Sequence, residues 1–174
     1  SLLEDEGFIK ELETITGAAF SSAGTVEFLV DGPAAFAVKD RLIKEAKKSI
    51  YIVTYAIYDD VTGNETMNIL LAKKKEGLDI KVVVDNKMAY IFGGKQLKTM
   101  ERAGIEILRY ADAGKPHNYM HVKMLITDGA YAVIGGMNYG DVYSHKGQSL
   151  KWRDTDVLYT GSAVAESMKD FSAI

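Results

Sequence analysis

The sequence predicts an α/β fold in which a mixed, largely parallel sheet is flanked by helices on both faces. Three observations carry that expectation. Runs rich in β-branched and aromatic residues recur at Val26–Val30, Ser49–Tyr55, Asp79–Val84 and Ile105–Leu108. Segments with helical spacing separate them, long enough to serve as crossovers between parallel strands. The 174 residues suffice for one such unit with its own core, so residues 1–174 are read as a single domain.

Residues 2–15 form the first expected helix, with Leu3, Phe8, Leu12 and Ile15 near one face. Gly17 to Gly24 is a small-residue linker into the strand at Val26–Val30. Asp31-Gly32-Pro33 turns the chain. Pro33 suits the first position of the next helix, where the missing N–H costs nothing. That helix is expected to bury Phe36, Leu42, Ile43 and Ala46, and to leave Lys39, Arg41, Lys44, Lys47 and Lys48 as a solvated face. Ser49–Tyr55 reads as a buried strand, Gly63–Glu76 as a helix closed by Gly77, and Asp79–Val84 as the next strand. Gly93-Gly94 opens a helix ending near Gly104, ahead of the strand Ile105–Leu108. Gly161-Ser162 starts a last helix, with Val164, Met168 and Phe171 at helical spacing. It meets the end at Ile174 without a capping residue, and the chain opens on Ser1, so both ends read as those of a fragment.

The net charge of −3 excludes a strongly basic coat of the kind that wraps nucleic acid, while leaving a local basic site open. The absence of cysteine excludes disulfides and thiolate metal sites. No apolar run approaches the length of a membrane span, and no signal peptide is visible. None of this assigns a compartment.

The chemistry concentrates in residues 119–138, where two apolar runs flank Asp128-Gly129. Asp-Gly between such runs signals a hairpin with a type I′ turn. A two-residue turn there sets Thr127 against Ala130, Leu125 against Ala132, Lys123 against Ile134 and His121 against Gly136. Side chains alternate across a strand, so His121 and Lys123 share one face and Asp128 points to the other. Gly136 adds no side chain beside His121, and Asn138 has the same parity just past the strand end. An imidazole, an ammonium, an amide and an open floor suit an anionic tetrahedral substrate. A neutral imidazole nitrogen can attack phosphorus. Lys123 places positive charge where equatorial oxygens gain negative charge, and Asn138 can donate to another of those oxygens. The imidazole needs a carboxylate on its other nitrogen; Asp154 is the candidate, with Asp156 of like parity as the fallback.

His121-x-Lys123-x-x-x-x-Asp128 followed by Gly135-Gly136-x-Asn138 resembles the signature of the phospholipase D superfamily. Asp31-Gly32, the helix to Ala46, Ile50–Tyr55, Asp59, Gly77 to Asp85, and Tyr143 with Trp152-Arg153-Asp154 resemble the first half of cardiolipin synthase-like members, which carry two such motifs. This chain has one. The resemblance implies a phospholipase D-like domain and a metal-independent reaction, without a cofactor, through a phosphohistidine on His121. It implies phosphate binding by Lys123, Gly136 and Asn138, a structural role for Asp128, and Asp154 as the carboxylate behind His121. Hydrolysis and phosphatidyl transfer both remain open.

His117 and His121 are four residues apart, as in helical zinc sites, but Asn118 follows His117 and Pro116 precedes it, so no zinc motif results. The expected partners are a phospholipid or other phosphodiester substrate and a second His/Lys motif. That motif comes from a missing C-terminal domain or from a homodimer mate. Peripheral membrane contact is open. Nucleic acid is less favoured by the acidic balance, so a homodimeric endonuclease of the same superfamily is the alternative. A non-catalytic partner-binding module is the third reading.

Overall fold

A computed structural model describes residues 4–21, 23–112, 114–115, 118–147 and 150–174. Leu3 and His117 lie outside the described residues. The elements in chain order are α1 (Glu6–Thr16), β1 (Val26–Val30), α2 (Asp31–Glu45), β2 (Ser49–Thr54), α3 (Val61–Lys75), β3 (Asp79–Asp85), α4 (Asn86–Phe92) and α5 (Gly94–Arg102). There follow β4 (Glu106–Tyr110), β5 (Met124–Thr127), β6 (Tyr131–Gly135), α6 (Asp141–Ser144), β7 (Thr155–Thr160) and α7 (Ser162–Ser172).

The mixed α/β sheet has the strand order β1-β7-β6-β5-β2-β3-β4. Its balance differs from the expectation. Only β2–β3 and β3–β4 are parallel; β1–β7, β7–β6, β6–β5 and β5–β2 are antiparallel. Regular alternation of strand and helix stops after β4, and β5 and β6 are joined by a turn too tight for a parallel pair.

Alternation along the strands divides the core. Ile50, Ile52, Val82, Val84, Leu125 and Val133 face the side that also buries Phe36, Leu42, Leu70 and Leu97. Val53, Val83, Met124, Ile126 and Ala132 face the other side, against Val164, Met168 and Phe171 of α7. Tyr51 stacks on Phe171 there, with ring centroids 4.8 Å apart. Burying each Leu, Ile or Phe stabilises the fold by about 1.5–3 kcal/mol.

Several local expectations are corrected. Lys39 is 3% exposed and not part of a solvated face, because its turn of α2 lies directly over the sheet. The helix α2 begins at Asp31, ahead of Pro33. No residue of α1 is buried, and Ile15 is 72% exposed. The helix α4 was not anticipated; Asp85 caps it by accepting from Lys87 N and Met88 N, both at 3.0 Å. Among the described residues no helix is long and apolar enough to cross a membrane.

The hairpin register is offset from the two-residue expectation. Asp128 and Gly129 both take positive φ, 56° and 65°, and Ala130 N closes the turn on Thr127 O at 3.0 Å. Ala130 stays in the loop, so pairing resumes at Thr127–Tyr131 and Met124 faces Ile134. Lys123 therefore faces Gly135, whose N donates to Lys123 O at 3.2 Å.

Candidate active site

The candidate residues collect at one end of the sheet, beyond the carboxyl ends of the parallel strands β2 and β3, where open α/β sheets present their ligand sites. The segment entering β5 is fastened there by Asp85. While one carboxylate oxygen caps α4, the other accepts from Met120 N at 3.2 Å. One buried side chain thus joins β3, α4 and the residue before His121.

His121 is exposed. Its Nδ1 lies 2.9 Å from Lys123 Nζ, which also donates to His121 O at 2.7 Å. The Tyr55 ring flanks both groups, 4.8 Å from the imidazole centroid and 5.3 Å from the ammonium. Partial burial, then the Lys123 charge, depress the His121 pKa below its ordinary 6.5, against a smaller opposing pull from Asp85. The imidazole is therefore neutral at neutral pH. Burial also lowers Lys123 to about 8, against the opposing charge of Asp154.

Asn138 is 2% exposed and tightly held. Its Oδ1 accepts from Ala56 N and Thr54 Oγ1, each at 3.2 Å, and its Nδ2 donates to Tyr143 OH at 2.9 Å. The Gly135-Gly136 pair before it is required by two carboxylates. A Cβ on Gly136 would collide with Asp154, and a Cβ on Gly135 with Asp156. Gly136 makes room for Asp154, where an open floor beside His121 was expected.

Asp154 accepts from its own neighbour Thr155 N at 2.7 Å. Among the described residues it makes no hydrogen bond to His121, whose Nδ1 meets Lys123. The cause is local: His121 precedes β5, so strand pairing does not set its ring, and the lysine two residues on reaches it first. Asp156, the fallback, is committed elsewhere. Its Oδ2 lies 2.6 Å from Lys39 Nζ, and its Oδ1 accepts from Met137 N at 3.2 Å. Lys39 Nζ donates to Met137 O at 3.3 Å and sits over the Phe36 and Tyr139 rings. Burial lowers the Lys39 pKa, and the Asp156 charge opposes that shift. This pair grips both polar groups of the residue between Gly136 and Asn138. With Lys123 it lines one cavity of about 10 Å³.

Asp128 lies apart from these groups. Its carboxylate accepts from Lys47 N (2.9 Å), Lys48 N (2.7 Å) and Ser49 N (3.0 Å), tying the hairpin turn to the connection between α2 and β2. Burial alone would raise its pKa, but the N–H groups of Ser49, Lys47 and Lys48 outweigh that and hold it below the ordinary carboxylate value. Its stabilisation is thus present above the unfolded pKa and is lost as pH falls through the lower folded one. Asp128→Ala strands three backbone donors. It should cost about 2–4 kcal/mol and lower the melting temperature by roughly 5–15 °C. Thermal melts check this; an inactive variant of unchanged stability would place the carboxylate in the chemistry instead.

Sequence reasoning missed Tyr55, Thr54, Lys39 and Asp85. Asp85 carried a signal, an aspartate between a strand and a helical stretch, which is the N-cap pattern. Lys39 carried none, because it sits in a segment rich in other cations. Among the described residues no group of three His, Asp or Glu is arranged to hold a metal ion.

One end of the sheet thus presents an imidazole, an ammonium and a clamped amide. The fold matches a phospholipase D family member, Nuc, from Salmonella typhimurium, with TM-score 0.68 at 19% identity over 86% of this chain and 92% of that one. It also matches phosphatidylserine synthase from Haemophilus influenzae, with TM-score 0.73 at 21% identity over 93% of this chain and 39% of that one. In sequence, residues 40–169 match the family model described as cardiolipin synthase, PLD-like domain. Cardiolipin synthase A of Pseudomonas syringae is 32% identical over 154 residues, 84% of this chain and 32% of the relative. Cardiolipin synthase of Halalkalibacterium halodurans is 30% identical over 151 residues, 83% and 30% respectively. The chain belongs to the PLD-like domain family of cardiolipin synthase, and through it to the phospholipase D superfamily. It spans about a third of the length of these curated relatives.

Proposed function

We propose that this chain is a single domain supplying one half of a phospholipase D-type site, which cleaves or transfers phospholipid phosphodiesters through a phosphohistidine on His121. The observation that carries this reading is the exposed His121 imidazole held against Lys123 at the sheet end where Asn138 is clamped. A substrate oxyanion competes for the Lys123 ammonium and draws it off Nδ1. The ring proton then passes through solvent from Nε2 to the freed Nδ1, and Nε2 carries the lone pair that attacks phosphorus. The bond from phosphorus to the leaving oxygen breaks, and that oxygen takes a proton from a general acid on the opposite side. Lys123 and Asn138 hold the equatorial oxygens, and Asp154 is assigned to the Nδ1–H in this state. Water or an acceptor alcohol then gives up a proton and displaces His121, completing hydrolysis or transfer.

One imidazole cannot attack phosphorus and protonate the leaving oxygen on the far side in the same step. The general acid is assigned to a second His/Lys motif. The relatives, about three times as long as the matched region, favour an appended half as its source. The alternative is a homodimeric endonuclease with one motif per chain; the fold match over 92% of Nuc supports only the one-domain arrangement this needs. Sedimentation of the 174-residue chain, paired with a phosphodiester assay, tests the proposal. A monomer without turnover that becomes active in the longer protein is the expected result. Full activity from a strict monomer would overturn the half-site reading, and an active dimer would select the homodimer.

A further inference from the structure

We propose that α4 and the start of α5 form a membrane-seating rim, which sets the mouth of the site on an anionic phospholipid surface. This rests on the lipid reading above and adds how the substrate is reached. Two adjacent large apolar side chains stand out on α4: Tyr90 is 90% exposed and Ile91 is 53% exposed. They lie beside a groove of about 660 Å³ lined also by Lys95, Lys98, Arg102 and Arg109, against one carboxylate, Asp59, which accepts from Gln96 Nε2. Residues 86–102 carry Lys87, Lys95, Lys98 and Arg102 against the lone carboxylate of Glu101, in a chain of net charge −3. Glu101 is itself paired with Arg109, and all four cations are exposed. Bare aromatic and aliphatic groups ringed by ammonium and guanidinium groups suit the boundary between acyl chains and anionic headgroups.

The rim is continuous with the catalytic groups. Asp85 ties the first turn of α4 to Met120, next to His121. At the other end of α4, Phe92 packs on Tyr58 at 4.7 Å between ring centroids, and Tyr58 on Tyr143 at 6.4 Å. Tyr143 OH accepts from Asn138 Nδ2. Tyr119, 39% exposed, extends the apolar edge under Lys87, whose Nζ lies 5.8 Å from its ring. A surface that engages Tyr90 and Ile91 thus meets the protein beside the groups assigned to the phosphate.

The test pairs vesicle co-sedimentation with phosphate binding, read from the His121 ring resonances on addition of inorganic phosphate. The chain is expected to bind vesicles containing phosphatidylglycerol and not pure phosphatidylcholine. Tyr90→Ser with Ile91→Ser should weaken partitioning on the order of tenfold or more. Lys95→Ala and Lys98→Ala should each weaken it about fivefold at low salt and little at high salt. Both apolar positions are exposed, so circular dichroism and the His121 response to phosphate should not change. Absence of vesicle binding by the parent, or undiminished binding by the Tyr90/Ile91 variant, overturns the rim. Vesicle binding as expected without any His121 response to phosphate leaves the rim standing and removes the phosphohistidine reading.

Discussion

Replacing His121 with alanine, in the form of the protein that turns over, is expected to reduce phosphodiester cleavage by on the order of 10⁴- to 10⁶-fold. It should leave the fold intact. His121 is exposed, and its hydrogen-bonding contacts are with Lys123, so no core packing goes with it. Without Nε2 no covalent phosphoenzyme can form. Acid-labile, base-stable phosphate on the protein should vanish together with turnover. Near-normal turnover with an unchanged melting temperature would show that another group attacks phosphorus.

The same two residues set a pH window. Attack needs neutral His121, and its pKa is lowered from 6.5, so the competent form persists below the ordinary histidine range. Phosphate binding needs charged Lys123, which loses its proton as pH rises through about 8. The profile of kcat/KM for the free enzyme should rise on the acid side below 6.5 and fall above about 8. Lys123→Ala should remove the alkaline limb at a cost on the order of 10²-fold or more. It should also raise the His121 pKa, because the like charge beside it is gone. An alkaline limb that survives in Lys123→Ala would assign it to another group.

Lys39→Met is expected to destabilise the protein by about 3–5 kcal/mol, because it leaves the Asp156 carboxylate buried without its cation. Asp156→Leu should cost a similar amount for the converse reason, reduced to the extent that Lys39 sheds its proton. The double variant should recover much of the loss, since an apolar pair of similar volume can replace a buried ion pair almost neutrally. Activity should not recover with it. The pair holds Met137 O at 3.3 Å and Met137 N at 3.2 Å, and Met137 lies between Gly136 and Asn138. Urea midpoints and kcat measured side by side decide the matter. If Lys39→Met alone is as stable as the parent, the buried pair is not what braces this loop.

What the sequence determined by itself was what local chemistry can encode. The apolar runs read at Ser49–Tyr55 and Asp79–Val84, within a residue of β2 and β3, and the helix that buries Phe36, Leu42 and Ile43, declare themselves by periodicity and composition. The gathering of His121, Lys123, Asp128, Gly136 and Asn138 on one hairpin follows from spacing around Asp128-Gly129, whatever its register. Tertiary structure decided the rest, for reasons that sequence spacing does not contain. The hairpin register moved by one residue because Ala130 stays in the turn, and the Asp128 carboxylate in that turn is held by the backbone of Lys47, Lys48 and Ser49, which are distant in sequence. Lys39 became a core residue because the sheet beneath α2 brings it to Asp156. Gly135 and Gly136 proved to be clearances for Asp156 and Asp154, which is visible only once β6 and β7 are paired. The pKa shifts of His121 and Lys123 are likewise tertiary facts, set by desolvation and by charges that converge from β3 and from the approaches to β5 and β7.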